Sequence, residues 1–416
     1  MSGPAKGAAG GPPQNTNWAG VFLGLAIGVL AAFHQFKVPP AMPLLLDLYD
    51  YDLTIAGGFM SAYAAVGLAT SALLGLGLQR FGVRRYVSIA GAVLVLGSLA
   101  TVAWPALSGL VLASRALEGL GFAILAVSGP VIAIRSASIE HRPLAIAIFA
   151  AWIPIGQLLA LGIAQPTVAA EQWRVIWWAG IALTILLIAA VWLAGRRRSS
   201  GAEPEAAPLR FADVPRARRL ALVGAAALFT LWSGQYFAMS TWLPQYLVDA
   251  RGLTAAGAVA PYAIPAAFVV IFNLVGGELL RRGVPIFPML AVALAVQGVL
   301  WLLFTSFTSL WSGMAALAIY GAAAGITPTC LFSMPNTILG HRGGSGSAFG
   351  VIMTGRNLGV LAGPIILPQL LRATGAWDGV SPVFGALTLA AAAGTAGLGV
   401  FLMRLPVEQP SQTANR

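Results

Sequence analysis

Along most of this chain apolar residues run unbroken for twenty residues or more, with only short polar interruptions between the runs. A stretch of that length and composition matches the hydrocarbon thickness of a bilayer when wound as a helix. Twelve such stretches can be read, at roughly 17–46, 55–78, 86–104, 106–134, 143–168, 174–195, 219–248, 255–280, 286–307, 309–338, 345–371 and 380–404. Several exceed the minimum needed to cross, which predicts tilted or extended helices.

The one long polar interruption is GRRRSSGAEPEAAPLRFADVPRARR at 195–219, with seven arginines and three of the chain's thirteen acids. Charge at that density does not enter hydrocarbon, and the segment has too little apolar surface to fold alone. It divides the chain into six spans and six. The predicted organisation is an N-terminal tail over 1–16, a six-helix bundle over 17–195, a basic linker over 196–218, a second six-helix bundle over 219–404 and a tail over 405–416. The fold class is therefore an all-α polytopic membrane protein.

The two halves are related. Pro43 and Leu53-Thr54 recur as Pro244 and Leu253-Thr254, Gly82-Val83 as Gly283-Val284, His141-Arg142 as His341-Arg342, and Gln157 as Asn357. Every offset is 200 or 201. An ordered series at constant offset signals a duplicated six-helix unit, and parallel repeats of this kind are a transporter plan.

Composition agrees with that pattern. Hydrophobic residues make up 58% and charged residues 9% of the chain, far below the charge content of a soluble domain. The net charge of +11 does not indicate a nucleic-acid partner, because of where it lies. About eighteen of the twenty-four Lys and Arg fall in one alternating set of loops and in the termini, and only Arg174, Arg251 and Arg372 fall in the other set. This is the positive-inside asymmetry, and it places the linker and both termini in the cytoplasm. Residues 1–16 carry no cleavable signal pattern. The lone Cys330 excludes a disulfide within the chain and a cysteine metal site.

Four charged side chains lie inside apolar spans: Lys37, Arg115, Glu118 and Arg356. Each costs about 2.5–3.5 kcal/mol at mid-bilayer on insertion scales, so each needs a partner or a task. Arg115 and Glu118, three apart on one helix, share a face and can pair. Glu118 is also the one deeply placed carboxylate, hence the candidate proton carrier, with Arg115 tuning it. Lys37 and Arg356 have no carboxylate on their own helices. Facing one water-filled cavity they would form a site for an anion, with Asn357, Gln157, Gln235, Tyr236 and Asn273 orienting the remainder of the substrate. His34, one turn before Lys37, is either a second proton site or a structural hydrogen-bonder.

Two segments carry a family resemblance. The loop GLGLQRFGVRR at 75–85 is similar to the GxLxDRxGRR loop of the major facilitator superfamily, and RALEGLG at 115–121 is similar to its RxxxGxG helix motif. The resemblance implies twelve helices in two pseudo-symmetric bundles and transport by alternating access. It also implies conformational gating by Gly75, Gln79, Arg80, Gly82 and Arg84. Gln79 departs from the pattern, which has an acid there. Within the superfamily, TWLPQYL at 241–247 and the glycine-rich tenth span resemble cyanate and nitroimidazole transporters, and Lys37 resembles the lysine of monocarboxylate transporters. Monomers are the family default.

Enzyme readings lack parts: there is no HExxH, no Walker loop, no paired intramembrane aspartates and no nucleophile beside a base. No cofactor or metal is implied. The expected function is secondary transport of a small anion, such as an organic carboxylate, across the inner (plasma) membrane with possible proton coupling. A proton-coupled exporter of hydrophobic drugs or metabolites is the alternative, and a non-transporting receptor on the same fold a third class.

Overall fold

The computed structural model describes residues 15–194, 214–340 and 346–405. Every regular element among them is helical. Thirteen α-helices follow one another: α1 (Trp18–Phe36), α2 (Met42–Tyr49), α3 (Leu53–Ala103), α4 (Ser108–Ser136), α5 (Arg142–Ala150), α6 (Trp152–Ala169), α7 (Arg174–Ala194), α8 (Arg216–Asp249), α9 (Ala255–Arg281), α10 (Ile286–Leu302), α11 (Leu310–Leu339), α12 (Gly346–Thr374) and α13 (Trp377–Met403). They make twelve crossings. The first is α1 plus α2 around a break at Pro39–Ala41, the fifth is α5 plus α6, and α3 supplies the second and third. Eleven segments are long and apolar enough to span, and the shorter α10 completes the set.

The run of α3 through the expected loop after the second span is a difference from the sequence reading, which ended one span near residue 78 and began the next near 86. Helical turns continue through 71–80 and resume after Gly82, the one residue there with non-helical backbone. Gly82 has φ +70°, and its repeat counterpart Gly283 has φ +83°. Left-handed backbone of this kind costs any residue with a Cβ, so the duplicated glycine marks a duplicated reversal. The side chains of 71–80, including Gln79 and Arg80, lie outside the described residues, as do His341 and Arg342. Arg84 stacks its guanidinium over Trp192, 5.9 Å from the ring centre. The linker expected over 196–218 is described only from 214, and Arg216 already opens α8.

Local capping explains where several helices begin. Asp52 accepts from the backbone N–H of Thr54 (2.8 Å) and Ile55, Thr254 from Gly257 (3.0 Å), and Ser309 from Ser312 (3.1 Å). Asp52 and Thr254 occupy nearly equivalent places in the two halves, so the duplication extends to the caps.

Within each bundle small residues let backbones approach. A Cβ on Gly24 of α1 would stand 2.6 Å from the carbonyl oxygen of Gly129 on α4, and one on Gly325 of α11 would stand 2.7 Å from that of Val269 on α9. The bundles meet along two seams, α3 with α12 and α6 with α9, and the break in the first crossing packs on α6, α8 and α9. At the end away from the linker, Arg372 of α12 reaches Asp52 and Thr54 at the start of α3, and Gln369 donates to the same threonine (2.6 Å). Deeper in, Phe36 stacks on Phe237, its repeat counterpart, with ring centres 5.9 Å apart. The far end is thus held shut by contacts from both bundles.

Candidate functional site

The first crossing breaks because Pro39 and Pro40 cannot donate backbone hydrogen bonds. A continuing helix would have satisfied the Gln35 carbonyl from residue 39. Arg115 of α4 does so instead, with Nη2 3.1 Å from Gln35 O, Nη1 3.0 Å from His34 O and Nε 3.1 Å from Phe59 O. The guanidinium also lies 4.1 Å from the Tyr63 ring centre. A side chain from the fourth crossing therefore replaces the missing helical donors of the first.

Glu118, one turn along α4, pairs with Arg115 through Oε2, as the spacing predicts. Its other oxygen receives Lys37 Nζ at 2.6 Å, and both residues are 0% exposed. The expectation that Lys37 has no matching acid and faces a shared cavity with Arg356 is corrected here. Lys37 caps α1 and points into the first bundle, where it also meets Ser98 (2.8 Å), His34 Nδ1 (3.2 Å) and the face of Trp177 (5.2 Å). Ser98 and Tyr63 complete the carboxylate's shell at 2.6 and 2.8 Å. The cluster holds two cations and one anion, so it carries one excess positive charge.

His34 is fixed within this cluster. The Thr184 hydroxyl donates to Gly180 O (2.7 Å), so it accepts from His34 Nε2 (2.9 Å). The ring then carries its proton on Nε2 and offers Nδ1 as the acceptor for Lys37. This is the structural hydrogen-bonding role, and it links the first, third, fourth and sixth crossings.

Arg356 stands apart. It lies near mid-length of α12, 6% exposed, and no carboxylate among the described residues pairs with it. Its Nη1 donates to the neighbouring Asn357 Oδ1 (3.1 Å), and its guanidinium lies 5.4 Å from the Phe237 ring centre. Among the described residues, Asn357 is the one side-chain acceptor given to its five N–H groups. Asn357 faces the second crossing, 4.0 Å from where a Cβ on Gly67 would sit. Arg356 and Asn357 thus lie on the α3–α12 seam.

The remaining sequence candidates divide. Gln157 reaches across the other seam, donating to Tyr262 OH (3.2 Å), which itself donates to Ser240 O (2.7 Å). Tyr236 is buried and stacked on Trp232, with ring centres 5.2 Å apart, next to Phe237. Gln235 belongs to the interior of the second bundle. It donates to Gln297 Oε1 (2.9 Å) and accepts from Trp301 (2.6 Å) and Tyr320 (2.7 Å). Gln297 in turn bonds Trp232 and Thr327. At the offset of 201, Gln235 is the counterpart of His34, so a satisfied neutral network stands where the first bundle has its charges. Asn273 accepts from Thr329 (3.2 Å) and is half-buried between α9 and α11.

Sequence reasoning missed Ser98, Thr184 and Gln297. Each is an isolated polar residue in a third, sixth or ninth crossing, and that isolation was the available signal.

The chain's fold is that of the crystal structure of a D-xylose-proton symporter, with TM-score 0.72 and 15% identity, covering 94% of this chain and 98% of that one. It is likewise similar to a POT family transporter solved in complex with a thioalcohol-conjugated peptide, with TM-score 0.75 and 15% identity, covering 92% and 97%. No curated protein matches the sequence. A family model described as Major Facilitator Superfamily matches residues 22–364, and with twelve crossings in two related bundles the chain belongs to that superfamily.

Proposed function

We propose that this member of the superfamily is a secondary transporter of a small organic anion, with a carboxylate held by Arg356. The observation that carries the reading is a buried guanidinium beside the inter-bundle seam with no acid partner among the described residues and one side-chain acceptor. A desolvated cation of this kind gains most from a bidentate carboxylate. Asn357 would accept or donate beside it, and Phe237 would cover the apolar body of the ligand. Lys37 takes a different role from the one its residue type suggests, because it is already paired with Glu118.

Glu118 is the group proposed to carry a coupling proton. It sits among Lys37, Arg115, His34, Tyr63 and Ser98, and its partner Arg115 holds the broken first crossing. Protonating Glu118 would release the two cations from their shared counter-charge, so the proton and the shape of the first crossing are tied together. The neighbour named as a proton symporter supports coupling of this kind. The basic loops and linker support a cytoplasmic linker face and cytoplasmic termini, in a plasma or inner membrane.

The test is thermal stabilisation of the detergent-purified protein by a panel of small carboxylates, neutral drugs and cationic drugs. Carboxylates that stabilise the wild type but not Arg356→Ala support the reading. Stabilisation by drugs alone, unchanged in Arg356→Ala, overturns it in favour of the exporter.

A further inference from the structure

Gln157 of α6 is 2% exposed, and its Oε1 has no hydrogen-bond partner among the described residues. The orientation of that amide is set by its neighbours. Tyr262 is fully buried, and its single hydroxyl proton goes to Ser240 O at 2.7 Å. The hydroxyl can therefore only accept from Gln157, which must present Nε2 to it. Rotating the amide would set two acceptors against each other. Oε1 is left as a buried acceptor of fixed direction, at the seam where α6 of one bundle meets α9 of the other.

A buried amide oxygen without a donor is destabilising, so it needs something that supplies one. Its position relates it to the anion site. Gln157 and Asn357 are repeat counterparts at offset 200, and the pseudo-symmetry of the bundles sets counterparts at equal depth. Gln157 thus lies on the second seam at the level at which Arg356 and Asn357 lie on the first. The interior at this level is cationic, since Arg356 is unpaired and the Lys37–Glu118–Arg115 cluster keeps one excess positive charge. An ammonium group would enter against that field with one amide oxygen for company, whereas a hydroxyl brings a donor without a charge.

We infer that Gln157 is a specificity residue whose amide oxygen accepts a hydrogen bond from a hydroxyl group on the transported anion, so that the substrate class is a hydroxylated carboxylate. This rests on the carboxylate reading of Arg356 and narrows it. Tyr262 acts as a positioning residue that fixes the direction of the Gln157 amide.

The experiment uses the full-length protein in detergent and four matched pairs of carboxylates: glycolate and acetate, lactate and propionate, 3-hydroxybutyrate and butyrate, malate and succinate. Apparent Kd values come from the concentration dependence of thermal stabilisation. In at least one pair the hydroxylated member is expected to bind about ten- to a hundredfold tighter to the wild type, the range set by leaving one buried acceptor unpaired. In Gln157→Leu that preference is expected to vanish while the plain acid keeps its affinity, a pattern that general misfolding does not produce. Tyr262→Phe frees the amide to rotate and is expected to reduce the preference without abolishing it. Equal binding within every pair in the wild type, with Arg356→Ala still abolishing all of it, overturns this inference and leaves the Arg356 reading standing. Carboxylate binding that is absent from the wild type, or unchanged in Arg356→Ala, overturns both.

Discussion

Replacing Glu118 by Gln removes one charge from the buried cluster at nearly constant volume. Glu118 then no longer balances Lys37 and Arg115, and the formal charge of the cluster rises from +1 to +2 in a site that is 0% exposed at all three residues. Breaking a buried ion pair by removing one partner costs about 3–5 kcal/mol, because the surviving charge stays desolvated. Here two cations survive, but the amide retains contacts with Ser98 and Tyr63, so about 3 kcal/mol is expected. Lys37→Met leaves the Arg115–Glu118 pair intact and takes the cluster to neutral, so its cost is expected to be about 1 kcal/mol. The double variant returns to +1. It should therefore be more stable than Glu118→Gln alone by about 1–2 kcal/mol, which with the two single costs is about 2–3 kcal/mol of coupling. Reversible unfolding in mixed micelles, or apparent melting temperature where unfolding is irreversible, measures the series. Equal stability of Glu118→Gln and wild type, or costs that simply add in the double variant, would refute the shared counter-charge.

Other parts of the structure have consequences of the same kind. At the far end, desolvation raises the Asp52 carboxyl, but hydrogen bonds from Arg372 and from the Thr54 and Ile55 N–H groups outweigh it and hold the group below its ordinary 3.8. A depressed carboxyl stabilises above the ordinary range and loses that effect as pH falls through the lowered value. Spin labels across the α3–α12 seam should therefore report a closed end unchanged from pH 8 to 5 and opening only in stronger acid. Asp52→Asn should open it at all pH values, modestly, since a pair this exposed contributes about 0–1 kcal/mol. Gly156→Ala places a Cβ 2.5 Å from Val29 O and should lower stability by about 1–3 kcal/mol, whereas Gly162→Ala, on the same helix with open space around it, should not. Gln235→Leu strips acceptors from Trp301 and Tyr320 and should cost about 2–3 kcal/mol, without altering which anions bind.

The crossings were legible because hydrocarbon demands long apolar runs, and the duplication because the repeat offset survives in helix starts and turns such as Thr54 and Thr254 or Gly82 and Gly283. The reversal at Gly82 was harder to place, since its helices continue almost to the glycine itself. Within the site, the Arg115–Glu118 pair was readable from a spacing of three on one helix. The partner of Lys37 was not, because Glu118 arrives from another crossing 81 positions away. Helix periodicity assigns a face to a residue but not the neighbour that face meets, and this is why Gln235 was read as facing the cavity and lies instead in a satisfied interior network. Arg356 is a deep cation with no acid on its own helix and none paired with it among the described residues.

The central claim is that Arg356 holds the carboxylate of a transported anion. Uptake of a labelled carboxylate into proteoliposomes, with and without an imposed inward proton gradient, measures it directly. The account predicts saturable uptake by the wild type, faster with the gradient, and uptake reduced to the level of empty liposomes by Arg356→Ala in protein that retains its wild-type melting temperature. Undiminished uptake by that variant would contradict it.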